Sequence, residues 1–422
     1  MPFELILFLV MVGVFVVGTF FVNLPVSLSM ALASLAALVV SGNGLGIRHL
    51  VEGTFGYVDT ILVIATAMVF MRAVQESGAL DAIAIVITRR FRNVPALLLP
   101  MLMLVAMFPG MITGSSSASV LTAGAVVAPV LIILGLPREA AGAFIAMAGI
   151  LGMIAPPVNI PAMIIGGGID MPFVGFELPL LLLTLPLAVV FSWTFGLQHT
   201  RRVLWEEIAP QLDTASYERF GARLFLPVLG VAVLMTLGKA LPETFGLGLP
   251  VVFLLGAVAA VFVGKRFNPL IAARAAMADA IPVLAILAGV GMFIQVMTLT
   301  GVRGFVVVNA LSVPPAMLFV AIAVTLPLFG AVSSFGAASV LGVPFLLALL
   351  GKDQIIAASA LSLIASLGDF MPPTALSAIF AAQVVGIERY TIVLKRLIVP
   401  SLIIIVWALA FIHYSTAVRS LY

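Results

Sequence analysis

Two clusters of hydroxyl-bearing residues stand in the middle of strongly apolar segments. The first is TGSSSAS at 113–119, within a stretch from Asn93 to Leu136 that contains no charged residue, and the second is GAVSSFGAAS at 330–339. Serine hydroxyls and unwound backbone carbonyls are oxygen ligands for a cation such as Na⁺. We therefore interpret both clusters as helix interruptions that expose binding groups. The alternative is that small residues only pack helices against each other in lipid.

Each cluster is followed by a proline pair that must interrupt a helix. The sequence reads GILGMIAPPVNIPAM at 149–163 and SLIASLGDFMPPTALSAI at 362–379. Pro156 follows Gly114 at the same interval at which Pro372 follows Gly330. Because proline lacks an N–H group and clashes with the preceding turn, each pair frees backbone groups that a regular helix would use internally.

Asp369 is the only charged residue between positions 354 and 387. A carboxylate in hydrocarbon is costly unless it is paired, hydrated or protonated, so an acid within a membrane segment is a functional candidate. Three roles for Asp369 are open at this point. It can ligate a cation, carry a proton, or cap a half-helix near the membrane edge.

The composition requires lipid as the main solvent of this chain. Hydrophobic residues make up 63% of the 422 and charged residues only 9%, against about 45–50% and about 25% in soluble domains. The N-terminal segment lacks the features of a cleaved signal peptide, and we expect it to be retained as a first span. Since a span needs roughly 20 apolar residues, the candidates are 3–23, 24–42, 57–77, 140–168, 173–197, 223–242, 246–264, 280–300, 354–386 and 397–417.

Two further apolar segments, 95–136 and 314–350, are too long for one helix. Each is either two full spans or one re-entrant hairpin, and the polar middle favours a hairpin surrounded by protein. Basic residues then collect on one side, namely Arg89, Arg90, Arg92, Arg138, Arg201, Arg202, Arg219, Arg223, Lys265, Arg266, Arg274, Arg389, Lys395 and Arg396. The other side carries Arg48, Lys239, Arg303, Lys352 and Arg419. Because cytoplasmic loops are the basic ones, both termini are predicted to be periplasmic.

The order of these parts occurs twice along the chain. Residues 1–197 form the first predicted repeat, with hairpin 95–136 and broken helix 140–168. Residues 223–422 form the second, with hairpin 314–350 and broken helix 354–386, and a cytoplasmic linker at 198–222 joins them. An odd number of crossings per half predicts that the repeats are inverted, the arrangement of many secondary transporters. Chance similarity between two apolar sequences is the alternative.

The first hairpin and the proline-interrupted part of the broken helix after it, the first break, resemble the sequence of a known family; the second break is the corresponding part of 354–386. Gly114-Ser115-Ser116, Pro129 and Gly152 with Pro156-Pro157 match the pattern of the large membrane subunit of tripartite ATP-independent periplasmic (TRAP) transporters. The second half departs from that pattern, because its hairpin has no acid and Asp369 precedes the second proline pair. The resemblance implies an all-α polytopic membrane protein with two inverted repeats and an elevator-type mechanism, in a bacterial inner membrane.

The same resemblance implies a function and a set of partners. The implied function is uptake of small organic acids such as dicarboxylates, driven by Na⁺ as the coupling ion and without a bound cofactor. A periplasmic solute-binding protein would deliver the substrate, and a small four-span membrane subunit would be a separate chain.

The resemblance also implies two Na⁺ sites. One would lie between the first tip (Gly114, Ser115, Ser116, Ser117) and the second break (Gly368, Pro372, Thr374). Asp369, beside this second break, is a further cation candidate that the sequence itself suggests and the family pattern does not. The other would lie between the second tip (Ser333, Ser334, Gly336) and the first break (Ala155, Pro156, Asn159). The candidates for substrate binding are Ser116, Asn159, Ser334 and Thr374.

Rival functions differ in what they need. A stand-alone Na⁺- or H⁺-coupled organic anion transporter of the same superfamily would need neither partner. An intramembrane enzyme would need a convergent catalytic set, and we find no metal cluster, nucleotide loop or Ser–His–Asp arrangement in the sequence. A pore would pass ions without coupling to a solute. We therefore expect a transporter and not an enzyme.

Overall fold

The computed structural model describes residues 2–200, 205–208, 214–372 and 374–421. Within these ranges the regular structure is entirely helical. Eight of the described helices are long and apolar enough to cross a membrane. The chain is therefore a polytopic all-α membrane protein, as the composition predicts.

The first half supplies eleven helices and two π-helical turns. They are α1 (Phe3–Val16) with a π-turn at Val17–Phe21, α2 (Val26–Val40), α3 (Ile47–Phe55), α4 (Val58–Ser77), α5 (Ala79–Phe91), α6 (Pro95–Thr113), α7 (Ser116–Ser119) with a π-turn at Val120–Gly124, α8 (Ala125–Ile133), α9 (Arg138–Ile154), α10 (Ile160–Gly167) and α11 (Glu177–Gly196).

The linker and the second half continue in a similar order. They contain α12 (Trp205–Ile208), α13 (Thr214–Phe220), a 3₁₀ turn at Gly221–Phe225, α14 (Leu226–Ala240), α15 (Pro242–Phe245), α16 (Gly248–Val263), α17 (Pro269–Leu299), α18 (Val302–Leu311), α19 (Pro315–Gly330), α20 (Ser334–Ala337) with a π-turn at Ala338–Gly342, α21 (Val343–Ala348), α22 (Gln354–Ser366) with a 3₁₀ turn at Leu367–Phe370, α23 (Leu376–Val384), α24 (Tyr390–His413) and α25 (Ser415–Arg419). Arg201 and Arg202 of the predicted cytoplasmic side lie outside the described residues.

The helices pack in two groups. The first group contains α1 to α4 with α14, α16 and α17, and its main pairings are α4 with α16 and α17 with α2, α3 and α4. The second group contains the hairpins, the broken helices, α11 and α24, with α9 packed against α6, α11 and α23. The candidate site residues all belong to the second group.

Two helices are longer than the sequence analysis predicts. The predicted span 280–300 is the C-terminal part of α17, which begins at Pro269. Asn268 caps α17 by accepting hydrogen bonds from Leu270 N (3.0 Å) and Ile271 N (3.3 Å), and proline is favourable at the first helical position. The predicted span 397–417 begins earlier, at Tyr390, and includes Arg396, which stays half-exposed and pairs with Glu139 at 3.3 Å. A search for apolar runs misses both helix starts because charged residues occur in them.

Candidate functional site

The first hairpin tip is a helix interruption, as its sequence predicts. Helix α6 ends at Thr113, and Gly114 takes a left-handed conformation with φ +65°. Ser115 is extended, and its hydroxyl accepts a hydrogen bond from Ala118 N at 3.3 Å, which caps α7. Glycine tolerates the left-handed conformation and serine is a preferred N-cap residue, so this short sequence ends one helix and begins another.

The second hairpin tip repeats this construction with a different sequence. Helix α19 ends at Gly330, and Ser333 caps α20 by accepting a hydrogen bond from Gly336 N at 3.2 Å. A π-turn follows the short tip helix in each hairpin, at Val120–Gly124 and at Ala338–Gly342. Such turns are rare, and they occur frequently at functional sites.

The first break is closed by its own asparagine. After α9 ends at Ile154, the chain passes through Ala155, Pro156 and Pro157 to Asn159, which is buried. The Asn159 carbonyl oxygen accepts from Ala162 N at 2.9 Å, and its amide nitrogen donates to Ile154 O at 2.9 Å and to Ser362 Oγ at 3.0 Å. The substrate role of Asn159 stays a prediction, since these bonds already occupy most of its side-chain amide.

The second break has an acid and no side-chain cap. The 3₁₀ turn Leu367–Phe370 contains Asp369, and the chain then passes through Met371 and Pro372 to α23. Pro373 lies outside the described residues. Ala375 precedes α23 with φ +40°, and its methyl group cannot accept a hydrogen bond from the first turn. The two breaks therefore differ most where their second half-helices begin.

Glycines hold each break against the hairpin of its own half. A Cβ atom on Gly152 would overlap the backbone of Met107 in α6, and one on Gly368 would overlap the backbone of Gly330 in α19. Val158 N also donates to Met111 O at 3.1 Å. Thr374 donates to Ala331 O of the second tip at 2.7 Å, and its expected place in a Na⁺ site with the first tip stays a prediction.

The two tips meet at one carboxylate. The Ser116 hydroxyl of the first tip donates to Asp369 Oδ2, and the Ser334 side chain of the second tip lies close to the same carboxylate. Ser116 and Ser334 are each 3% exposed, and Asp369 is 7% exposed. The hydroxyl groups that approach this carboxylate come from the two tips, which speaks against the simple role of capping a half-helix at the membrane edge.

The other expected ligands surround this centre at different places. Helix α10 packs against α20 of the second tip, and α23 packs against α7 of the first, so each second half-helix reaches the opposite hairpin. A side chain at Gly114 would meet Ile160 at the start of α10. Ser117 is half-buried, whereas Gly336 is buried beside Ser333. Ala155 and Pro156 lie in the first break, directly after α9.

Sequence reasoning missed two serines that organise the site. Ser119 Oγ accepts from Gly110 N at 2.7 Å and donates to Met107 O at 3.2 Å, so it ties α7 to α6. Ser362 joins the second half to the first through Asn159. Ser119 belongs to the polar cluster at 113–119, but nothing in the sequence around Ser362 indicates its partner.

The donor set suits a hard cation or a proton. It consists of two hydroxyls, a carboxylate and the carbonyl groups freed near the breaks, and oxygen ligands of this kind favour hard ions such as Na⁺ over softer metals. Among the described residues, no group of three or more His, Cys, Asp or Glu side chains is arranged to hold a metal ion. The site can therefore hold a monovalent cation whose charge the single carboxylate balances.

Comparisons with known proteins agree with this architecture. The model of the family described as tripartite ATP-independent periplasmic transporter, DctM component, matches residues 6–418. The YdaH transporter of Alcanivorax borkumensis matches with a TM-score of 0.62 and 18% identity, over 87% of this chain and 88% of that one. MtrF of Neisseria gonorrhoeae, from a class of antimetabolite efflux pumps, matches with a TM-score of 0.62 and 13% identity, over 87% of this chain and 83% of its own. At such identities the similarity concerns the fold. A search of curated proteins found no match.

Proposed function

This chain belongs to the family of DctM components of tripartite ATP-independent periplasmic transporters, and from that premise we propose that it imports small organic acids, such as dicarboxylates, coupled to Na⁺. It acts with a periplasmic solute-binding protein and a separate small membrane subunit. It lies in a bacterial inner membrane with both termini periplasmic. The observation that carries the proposal is the buried Asp369, which accepts a hydrogen bond from Ser116 of the first tip and has Ser334 of the second tip close by.

Asp369 is proposed as the group that couples the cation to the tips. A cation near Asp369 would compete with the Ser116 and Ser334 hydroxyls for the carboxylate oxygens and would recruit the hydroxyl oxygens as ligands. Binding one ion would then change contacts in both hairpins together. A ligand shifts a conformational equilibrium only through such differential contacts, so this arrangement supports coupling between ion binding and movement of the tips.

The two helix groups are proposed to move relative to each other, with the second group carrying the site. Phe15 of α1 stacks on Phe329 of α19, with ring centroids 5.5 Å apart, so the second hairpin borders the first group. Lys239 of α14 and Glu177 of α11 form an ion pair of 3.2 Å between the groups. An ion pair this exposed contributes little to stability, so it can break and re-form during an elevator-type movement.

Cysteine accessibility tests the proposed movement and the inverted arrangement of the repeats. The chain contains no cysteine, so Ser117→Cys and Phe335→Cys each introduce one thiol at a half-buried position of a tip. A membrane-impermeant thiol reagent should label the first only from the cytoplasmic side and the second only from the periplasmic side. Labelling of both from the same side under every condition would contradict the arrangement.

Uptake into proteoliposomes tests the function itself. The purified chain, with its small membrane subunit, should accumulate a radiolabelled organic acid only with a Na⁺ gradient and the solute-binding protein present. A panel of mono- and dicarboxylates identifies the substrate class. Ion flux without solute accumulation would instead indicate a pore.

The second candidate is a stand-alone transporter coupled to Na⁺ or H⁺. The observation that favours it is Asp369, an acid that can carry a proton and departs from the family pattern in the second half. In this case a Na⁺ or pH gradient drives uptake without the solute-binding protein and without the small subunit. The same vesicles distinguish the candidates when each component is omitted in turn.

A further inference from the structure

The surface of the first helix group contains an apolar cleft between three helices. It lies between the second half of α4, helix α16 and the first two turns of α17, and its volume is about 230 Å³. The lining residues of the described chain are all apolar, among them Val69, Ala73, Val258 and Leu270. Val258 is 56% exposed and Leu270 is 80% exposed, so the cleft is continuous with the lipid-facing surface of these helices. Such a cleft suits a hydrocarbon chain and not a polar solute.

A close backbone contact fixes the loop at one edge of this cleft. Helix α16 ends at Val263, and a Cβ atom on Gly264 would overlap the carbonyl oxygen of Ser77 at the end of α4. Lys265 N donates a hydrogen bond to the same oxygen at 3.1 Å. The loop 264–268 is therefore held against α4, and Phe267 in this loop lines the cleft. The edge of the cleft is a defined part of the fold.

Two exposed arginines stand at this edge. Arg266 directly precedes Phe267, and Arg274 follows Leu270 by one helical turn on the same face of α17. Neither guanidinium has a hydrogen-bond or ion-pair partner among the residues that the structure describes. Both belong to the side of the membrane on which basic residues collect. Unpaired cationic groups beside an apolar cleft match the anionic headgroup and the acyl chain of one lipid molecule.

Arg72 of α4 adds a donor on the same helix face as the cleft. Residues 69, 72, 73 and 76 have the spacing of one helical face, and the first and third of them line the cleft. Arg72 Nη2 pairs with Glu76 Oε1 at 3.0 Å, whereas the buried Arg72 Nε has no hydrogen-bond partner within the described ranges. A buried N–H group without a partner calls for an explanation, and an oxygen of a bound headgroup supplies one.

We propose that this cleft binds an anionic phospholipid, with an acyl chain between α4, α16 and α17 and the phosphate group at Arg266 and Arg274. The apolar lining alone would accept any lipid, and the arginines alone would accept any phosphate. Their juxtaposition selects a molecule that contains both. The bound lipid would stabilise the loop 264–268 against α4 while the second helix group moves. The site lies outside the proposed transport site and does not depend on the transported solute.

Substitutions at the arginines and within the cleft test the two parts of the site separately. Arg266→Gln and Arg274→Gln each remove one proposed phosphate contact. Arg389→Gln is the matched control, because Arg389 is exposed on the same predicted membrane side at the start of α24. Ala273→Phe fills the cleft, and Ala275→Phe adds the same bulk at a half-buried alanine of α17 that is not one of the lining residues. Thermal unfolding of each purified variant identifies those that fail to fold.

The binding probes are phosphatidylglycerol and phosphatidylcholine, added to the purified chain and measured as bound lipid by native mass spectrometry. The parent and both control variants should bind phosphatidylglycerol more tightly than phosphatidylcholine. Each arginine variant should bind phosphatidylglycerol roughly fivefold more weakly, as for one basic residue at an anionic lipid surface, with phosphatidylcholine binding unchanged. Ala273→Phe should weaken the binding of both lipids. Equal affinity of the parent for the two lipids, or parent-like binding by Ala273→Phe and both arginine variants, would overturn the inference.

Two competition experiments distinguish a phospholipid from other occupants. Glycerol phosphate, which has no acyl chain, should not displace phosphatidylglycerol, and displacement would assign the arginines to a free phosphate instead. An excess of the small membrane subunit should leave the lipid bound, whereas loss of the lipid would show that the cleft is a protein–protein interface. Both contrary results refute the lipid site. None of these measurements requires transport, so failure of the proposed function in the uptake assay is detected independently.

Discussion

The two breaks share a construction but differ in chemistry. Each lies against the first arm of its own hairpin through a glycine, Gly152 in the first and Gly368 in the second. The first break is then closed by Asn159, whereas the second carries Asp369 and an α23 without a side-chain cap. A repeated architecture has therefore acquired unequal roles. The first break is closed by a side-chain cap, and the second contains a buried carboxylate and a helix start without such a cap.

Removing the Asp369 charge should have the largest effect on transport. Asp369→Asn keeps the side-chain size but removes the charge that receives the Ser116 hydroxyl, and hydrogen bonds to a charged group contribute about 1.5–3 kcal/mol. We expect uptake at a fixed Na⁺ concentration to fall by roughly tenfold or more. Asp279→Asn, on the exposed surface of α17, is the control and should transport normally.

The response of Asp369→Asn to ions separates the remaining roles. If Asp369 ligates Na⁺, the variant requires more Na⁺ and is insensitive to pH near neutrality. If Asp369 carries a proton, the variant loses its response to a pH gradient and keeps its Na⁺ dependence. Parent-like behaviour in both titrations would remove Asp369 from the site.

Substituting the glycines should affect the two breaks equally. A Cβ atom at Gly152 or Gly368 would overlap backbone atoms, and overpacking of this kind costs about 1–3 kcal/mol or more. We expect Gly152→Ala and Gly368→Ala to lower the unfolding temperature of the purified protein by similar amounts. The control is Gly230→Ala in α14, where a Cβ atom would meet nothing within 4 Å. A large difference between the two breaks would show that their shared packing is not equivalent.

Removing the first cap should cost stability without changing ion coupling. Asn159→Ala loses the cap of α10 and the bond to Ser362, and loss of an N-cap costs about 0.5–2 kcal/mol. We expect a lower unfolding temperature, with an unchanged Na⁺ concentration for half-maximal uptake in the protein that remains folded. A shifted Na⁺ dependence would instead assign Asn159 to the binding chemistry, as the family resemblance implies.

The single tip hydroxyls should affect only the Na⁺ dependence and not the maximal rate. Ser116→Ala and Ser334→Ala each remove one hydroxyl near Asp369 and one proposed ion ligand, at a cost of about 1–3 kcal/mol if the ion is left under-coordinated. Each variant should raise the Na⁺ concentration for half-maximal uptake while leaving the maximal rate close to that of the parent. An unchanged Na⁺ dependence in both would mean that the serines only pack the tips.

Local features of this protein follow from its sequence because their causes are local. Glycine and serine at 114 and 115, the serine at 333, and the prolines at 156 and 372 restrict the conformation of their own turns. The sequence therefore predicts where the hairpins turn and where the helices break. Its composition likewise predicts a membrane protein, since no soluble fold could bury so many apolar residues.

Long-range pairings were decided by the tertiary structure. Many serines are equivalent in sequence, and nothing local indicates that Ser116 and Ser334 share Asp369, that Ser362 bonds to Asn159, or that Thr374 bonds to Ala331. The close approach of Gly368 to Gly330 accompanies the Thr374 bond within the second half, whereas the Ser116–Asp369 and Ser362–Asn159 bonds join the two halves. The hydroxyl of Ser377, which has no hydrogen-bond partner among the described residues, is likewise identified only by the tertiary structure. Whether a buried hydroxyl has a hydrogen-bond partner depends on the atoms that packing places around it.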